Sequence, residues 1–504
     1  MTVEKLATVA GFATVDTVVA LLDVVVVTLT LLVIVGRRKS AHVTLAWILV
    51  VVTFPFVGPL LWFLLAGRRI RRVGRRKRLS AEAVRARLAT LFGSRGSVLP
   101  ADASVLALAG RLTGLPATAG NRLELLTEND EAFRRKLDAI GAARRSVWAE
   151  YYLVEPDETG KGFLRLLAAK AREGLDVRLL YDAVGASRID DAALDELLAS
   201  GGRAHAFLPV NPFRRRWSTH LRNHRKLLVV DAAKAFTGGM NVGNEYSGLL
   251  ARLRPGSRAS REAGKAWRDT HVLVEGPAVH ELVRVFAEDW TFQTGEHLDV
   301  PAPVPAPAGP LSPRAAAAPG TPGPVVSVLP SGPDQAENAT ALAWFAAIGL
   351  SRQRCWITSP YFVPDEPTQR ALVSAALRGV DVRLLVPLES DAPLVSWAAY
   401  SFFPPLLSAG VRIWRYAPAV LHAKTTAVDG SLSLVGSANL DVRSFLLNFE
   451  LGVLVRDPDF ASALEARFLA DIAVSEEVTL KWWYAHGPLW RLLTNVSRLL
   501  SPIL

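Results

Sequence analysis

Two stretches of this chain place an imidazole, an ammonium and a carboxylate in the same order at the same spacing. His224, Lys226 and Asp231 stand in RNHRKLLVVDAAKAFTGGMN, and His422, Lys424 and Asp429 stand in VLHAKTTAVDGSLSLVGSAN. Both read H-x-K-x4-D, and both run into a small-residue turn ending in Asn: Gly238-Gly239-Met240-Asn241 and Gly436-Ser437-Ala438-Asn439. The offsets 422 − 224, 429 − 231 and 439 − 241 all equal 198, which marks a duplicated half-site.

LLVVD and TTAVD read as strands, along which residues two apart share a face, so each His and Lys should project together. An imidazole beside an ammonium, next to a turn offering backbone N–H groups and an Asn amide, is an anion pocket suited to a phosphate diester. Lys supplies a point charge, and neutral imidazole is a nucleophile or proton carrier near pH 7. With two copies, one His can attack phosphorus while the other protonates the leaving alkoxide. Both lysines, Asn241, Asn439, Gly239 and Ser437 are the expected phosphate-binding set, countering charge on the equatorial oxygens. Gly238, Gly239 and Gly436 equally suit plain hairpin turns, a role compatible with such a cradle. No Cys or carboxylate cluster accompanies the motifs, so neither a metal nor a cofactor is required. The seven other histidines read as ordinary core or surface residues.

The elements that must position these residues repeat as well. VWAEYYLV (147–154) reads as a strand, FLRLLAAKAREG (163–174) as a helix ending at Gly174, and LDVRLLYD (175–182) as a strand. CWITSPYFV (355–363), RALVSAALRG (370–379) and VDVRLLVP (380–387) repeat the series, with GLDVRLL and GVDVRLL offset by 205. Such alternation predicts an α/β fold: two pseudosymmetric sandwich domains with the active site at their interface, preceded by a transmembrane helical hairpin. The expected boundaries are a membrane anchor over 1–78, a helical connector over 79–115, a first domain over 116–300, a Pro/Ala-rich linker over 301–325, a second domain over 326–475 and an amphipathic segment over 476–504.

At 504 residues the chain exceeds one ordinary core. Half of its residues are hydrophobic, and Cys355, its single cysteine, excludes an internal disulfide and suits a reducing compartment. The net charge of +11 calls for an anionic partner, either nucleic acid or acidic lipid. Phe12–Val35 and Val43–Ala66 are each long enough to span a hydrocarbon core of roughly 30 Å. Pro55, Gly58 and Pro59 should kink the second, while Asp16 and Asp23 burden the first. A buried core hairpin is the alternative. The loop between them holds Arg37, Arg38 and Lys39, and RRIRRVGRRKR after the second holds eight cations. The larger cluster should lie inside, placing the N-terminus and the catalytic region on the cytoplasmic side and holding anionic headgroups nearby. Beside a membrane span lipid is the stronger reading of that basic run, and no nucleic-acid partner is expected. LKWWYAHGPLWRLLTNVSRLLSPIL at the C-terminus suits either a bilayer interface or packing on the catalytic body. SWAAYSFFPPLL (396–407) could admit acyl chains or form core.

The doubled motif resembles the hallmark of the phospholipase D superfamily. GSANLDVRSFLLNFE (436–450), ITSPYFVPDEP (357–367), SGPD (331–334), WRDTHVLVEGPAV (267–279) and the closing SPIL are similar to landmarks of its bacterial cardiolipin synthases. Ala232 departs from that pattern, standing where Gly usually follows the first Asp. The resemblance implies a metal-independent phosphohistidine intermediate, with His224 as nucleophile and His422 as acid and base. It also implies a carboxylate that fixes each His ring, Glu450 for His422 and Asp269 for His224. Asp231 and Asp429 complete the catalytic motif, their expected task being local support and charge balance. Arg443 and Asn448 read as structural. The expected reaction joins two phosphatidylglycerols into cardiolipin and glycerol, with phosphatidylethanolamine as another possible acceptor. A hydrolytic phospholipase D, a nuclease of the superfamily and a non-catalytic scaffold are the alternatives; two undamaged motif copies oppose the last.

Overall fold

A computed structural model of the protein describes residues 3–36, 41–65, 68–92, 104–211, 218, 220–247, 249, 267–300 and 323–499. Arg37, Arg38, Lys39, nearly all of the insertion at 247–266, most of the expected linker (301–322) and the closing SPIL lie outside them. The chain forms two compact units, Met1–Arg72 and Val73–Leu504.

In the first unit, helix Val3–Val35 contains Thr17–Val35, the one stretch among the described residues long and apolar enough to cross a membrane. The second expected span is not one helix. It breaks into Ala41–Thr53 and Val57–Leu65, of 13 and 9 residues, both short of the ~20 a straight crossing needs. Pro55 disfavours helical backbone in the residue before it and lacks an N–H of its own, so the helix stops at Thr53. Phe56 turns the chain at φ +59°.

The second unit begins inside helix Arg68–Phe92, so the boundary expected at residue 78 falls within a continuous helix. Two sheets follow, with matching strand orders. The first runs Arg122–Leu126, His271–Glu275, Lys234–Gly238, Lys226–Val230, Ser146–Tyr151, Asp176–Asp182, Arg203–Phe207. The second runs Val325–Ser331, Asn448–Arg456, Leu432–Gly436, Thr425–Val428, Arg354–Thr358, Asp381–Pro387, Arg412–Tyr416, with Ser475–Val478 added at the edge. In each, three parallel strands joined by helical crossovers continue into an antiparallel meander. Two central strands, Ser146–Tyr151 and Thr425–Val428, are buried throughout, and their polar members are paired: Glu150 accepts from Asn223 Nδ2 at 2.6 Å and Thr426 from Trp344 Nε1 at 2.8 Å. Phe133, Phe163 and Leu167 anchor the first core, and Trp344, Leu372 and Phe403 the second.

Two short contacts lock the halves together with the same geometry. Strand Asn448–Arg456 pairs in parallel with Arg222–Asn223, and Arg268 bridges Leu421 in parallel. Each bridge ends in a backbone bond: His224 N–H donates to Phe449 O at 2.8 Å, and His422 N–H to Arg268 O at 2.7 Å.

Candidate active site

Each histidine sits just before its strand, which starts at Lys226 in one half and Thr425 in the other, rather than along it. The following lysine folds back instead: Lys226 Nζ donates to His224 O at 2.7 Å and Lys424 Nζ to His422 O at 2.5 Å. Lys226, His422 and Lys424 are almost wholly buried, His224 is 11% exposed, and Asp231 and Asp429 are half-buried.

The orienting carboxylates are crossed relative to the sequence expectation. Glu450 lies 3.0 and 2.9 Å from Nδ1 of His224, not His422, and Asp269 lies 2.7 Å from Nδ1 of His422, not His224. The bridges explain the exchange. Glu450 follows Phe449, whose carbonyl holds His224, and Asp269 follows Arg268, whose carbonyl holds His422. Each half thus orients the other's imidazole, and a carboxylate on Nδ1 fixes the tautomer that leaves Nε2 for chemistry. Among the described residues neither Nε2 has a hydrogen-bond partner.

Burial lowers both histidines from 6.5 to about 4, opposed by Glu450 at His224 and aided by Lys424 at His422. It also holds Lys226 well below the usual lysine range, against the pull of Glu450, with the charge of Lys424 adding to the effect. Lys424 is brought to about 8, chiefly by burial. The mutual influence of Lys226 and Lys424 places the two motifs in one site. For Glu450 and Asp269 burial favours the neutral acid, but the facing histidine and lysine outweigh it and keep both ionised. The imidazoles are therefore neutral at pH 7, each beside an ionised carboxylate.

Several expected phosphate ligands have another task. The N–H of Gly239 is already spent on Thr270 O at 3.1 Å. A Cβ at Gly239 would stand 2.1 Å from Asp269 Oδ1, so this glycine makes room for the orienting carboxylate. Ser437, its counterpart, donates to Glu450 Oε2 at 2.5 Å. Asn241 and Asn439 are buried at the ends of their turns with both amide oxygens unpartnered. The Asn241 amide donates to Tyr246 Oη at 2.8 Å, and turning it by half a rotation would give the site an N–H instead. The motif carboxylates Asp231 and Asp429 lie at the far ends of their strands. Asp231 accepts from the N–H groups of Arg144, Arg145 and Ser146, and Asp429 from those of Arg352, Gln353 and Arg354. Their geometry is that of turn anchors.

Other residues enter the site unannounced by the motif. Tyr152 meets His224 edge-on at 5.0 Å and carries Lys226 over its ring at 5.3 Å. Trp267 and Tyr246 enclose His422, at 5.0 and 5.5 Å. Asn448, expected to be structural, donates to Glu450 Oε1 at 3.1 Å. A signal existed for two of them: Trp267 and Asn448 each stand two residues before an orienting carboxylate, and Asn448 shares a face of strand Asn448–Arg456 with Glu450.

Lys77 needs a further correction. It belongs to the basic run expected to hold headgroups, yet it is fully buried, 2.7 Å from Asp289 and 3.4 Å from Asp334. Asp289 also binds Arg225, between His224 and Lys226, and Arg225 Nε donates to Glu450 O at 3.1 Å. Gly74 makes the approach possible, since a Cβ there would meet Pro333 O at 2.4 Å. The SGPD turn at 331–334 is thus a seat for this helix.

Two α/β halves of equal strand order, pooling a doubled His-Lys pair at their interface, form the architecture of a two-domain phospholipase D-like enzyme. Residues 137–290 and 345–472 match the family described as cardiolipin synthase, phospholipase D-like domain, and residues 17–67 match a phospholipase D-nuclease N-terminal segment. The chain is 37% identical over 474 residues to a cardiolipin synthase of Geobacillus thermodenitrificans (strain NG80-2), covering 93% of this chain and 90% of that protein. It is 38% identical over 394 residues to cardiolipin synthase A of Pseudomonas syringae pv. syringae (strain B728a), covering 78% and 77%. The crystal structure of a phosphatidylserine synthase from Haemophilus influenzae Rd KW20 shares the fold, with a TM-score of 0.54 at 17% identity over 79% of this chain and 100% of that one. The chain belongs to the cardiolipin synthase family of the phospholipase D superfamily.

Proposed function

We propose that the protein transfers a phosphatidyl group from one phosphatidylglycerol to another, giving cardiolipin and glycerol, through a phosphohistidine at His224. The observation that carries this is the crossed pair of carboxylate–Nδ1 contacts, which leaves two Nε2 atoms beside two buried lysines. His224 Nε2 attacks phosphorus, the bond from phosphorus to the glycerol oxygen breaks, and His422 gives that oxygen a proton. The free hydroxyl of the second lipid then loses its proton to His422 and attacks phosphorus, and the phosphorus–nitrogen bond breaks. His422 at about 4 is unprotonated near pH 7 and has no second proton to give, but the charge of a bound diester raises its pKa and lets it take one up. His224 suits attack because one ring, Tyr152, flanks it whereas Trp267 and Tyr246 wall in His422, although exposure differs little, 11% against 7%. In a bilayer the acceptor lipid is concentrated, which favours transfer over hydrolysis.

The helix Thr17–Val35 supports attachment to the inner membrane, and the basic run at 68–78 supports a cytoplasmic catalytic region; a multi-pass anchor rests on the second apolar segment crossing as a helix broken at Pro55. The test uses the full chain, phosphatidylglycerol in mixed micelles and EDTA, with products resolved by mass spectrometry. Cardiolipin with glycerol is expected. Phosphatidic acid alone would make the protein a phospholipase, and no turnover with EDTA would refute the metal-free route.

A further inference from the structure

We propose that the C-terminal helix Pro488–Arg498 is a docking element that lays its aliphatic face on an anionic bilayer surface. This helix is turned inside out relative to an ordinary surface helix, which buries its apolar stripe. Leu489, Leu492, Leu493 and Val496 follow i, i+3, i+4, i+7 spacing and, with Leu499, are 40 to 74% exposed. The residues it buries are Thr494 and Ser497. Their hydroxyls are satisfied within the helix, on Arg491 O at 2.8 Å and Leu493 O at 2.9 Å, so this small polar face packs without needing water. Trp490 fixes the orientation by stacking on Tyr400 at 5.8 Å and His486 at 4.0 Å.

The apolar ground extends beyond the helix. Helix Pro393–Tyr400, which carries Tyr400, exposes Leu394 and Trp397. Asp391, just before it, accepts from the Tyr361 hydroxyl at 2.7 Å, and Tyr152, the residue against His224, adds to the upward shift of that hydroxyl. Asp391 and Tyr361 thus link the helix that carries this face to the surroundings of His224.

Charge selects the occupant. From Val478 to the end the chain holds Lys481, Arg491 and Arg498 and no Asp or Glu. Two copies meeting through this face would bring only cations together, whereas an anionic headgroup layer complements them and receives the aliphatic stripe below. The inference deepens the function proposed above and rests on it in one respect, that the substrate is a phospholipid taken from that surface.

The test labels Leu492→Cys with an environment-sensitive fluorophore in the full chain, reconstituted in phosphatidylglycerol-containing vesicles that carry spin-labelled lipid. Cys355 is buried and does not compete for the label. Glu173→Cys, on the end of the first half opposite the histidines, is the reference. Quenching at 492 should exceed that at 173 several-fold, and should fall in purely zwitterionic vesicles. In the labelled protein, Leu493→Glu with Val496→Glu should remove the excess while the chain still floats with the vesicles. Equal quenching at both positions would overturn the proposal. So would cross-linking between 492 of two copies without lipid quenching, which would assign the face to a second copy. The readout needs no turnover, so quenching without cardiolipin formation would refute the proposed function and leave the docking face standing.

Discussion

Around His224 the orienting carboxylate is the longer Glu450, held by Ser437 and Asn448; around His422 it is the shorter Asp269, seated against Gly239 and accepting from Thr270 N–H at 2.7 Å. Tyr152 flanks the first imidazole, and two aromatics enclose the second. Behind the first stands the buried Lys77–Asp289–Arg225 chain; in the second half Ala423 takes the place of Arg225, and the buried ion pair is Arg268–Asp471, which Arg467 joins. Duplication has thus kept the register of the two half-sites while letting their side chains diverge. Identical backbone bridges deliver a carboxylate to each Nδ1, and what differs is how that carboxylate is held and how freely the imidazole meets a substrate. That difference is the physical basis for unequal roles.

The sharpest way to break this comparison is to remove each histidine. His224→Ala should lower transfer by ~10⁴-fold or more and abolish any covalent lipid adduct, as expected for a lost nucleophile. His422→Gln should let the adduct form slowly and accumulate, because both proton transfers suffer. Intact-protein mass spectrometry after rapid quenching separates the outcomes, and an adduct on residue 422 would reverse the assignment.

The buried cation behind the first half-site comes next. Lys77→Met leaves Asp289 with Arg225 alone and strips Asp334 of its ammonium. Breaking a buried ion pair costs about 3–5 kcal/mol. Unfolding of the full chain in detergent should show a loss near the lower end of that range, because Arg225 remains. A loss under about 1 kcal/mol would mean that Arg225 alone satisfies Asp289.

Smaller effects should separate the two carboxylate seats. Gly239→Ala forces a Cβ to 2.1 Å from Asp269 Oδ1, so the carboxylate must move and His422 with it. A displacement of that order lowers kcat by about 10²-fold. Ser437→Ala removes one hydrogen bond of about 1 kcal/mol from Glu450, which Asn448 still holds, and should lower kcat by roughly 10-fold at most. If Ser437→Ala proved the more damaging, the difference between the seats would be misread.

Much of this arrangement was legible in the chain. The constant offset of 198 announced two half-sites, and β-branched runs after each His-Lys pair announced the strands that bury them. The crossing of Glu450 and Asp269 was not legible, because it depends on two parallel bridges between residues more than 150 apart in sequence, Arg268 to Leu421 and Phe449 to Asn223. A carboxylate downstream of its own motif is the local guess, and the fold overrides it. Gly239 and Ser437 misled for a related reason: small residues in a turn suit a phosphate cradle, and only the packed structure shows that the neighbour is a carboxylate. Lys77 read as one more cation in a basic run because its partners, Asp289 and Asp334, lie more than 200 residues away.

The finest test of equivalence between the halves is their response to pH. Lys424, lowered to about 8 chiefly by burial, should lose its charge as pH rises through that value in the free enzyme, raising KM for an anionic lipid on the alkaline side. On the acid side both histidines stand at about 4 in the folded protein against 6.5 when exposed. Between those values the unfolded chain binds more protons than the native one, so the histidines' contribution to stability is complete above pH 6.5 and is lost progressively as pH falls toward about 4. Glu450 and Asp269, also depressed, extend the loss below the usual carboxylate range. The melting temperature should therefore decline from pH 6.5 to 4, and His224→Gln with His422→Gln should flatten that decline. Since burial sets both histidines to the same value, each single variant should remove a similar share. A decline that vanishes with only one of them would show that the half-sites differ in electrostatics as well as in packing, and that the more responsive imidazole is the one the fold keeps driest.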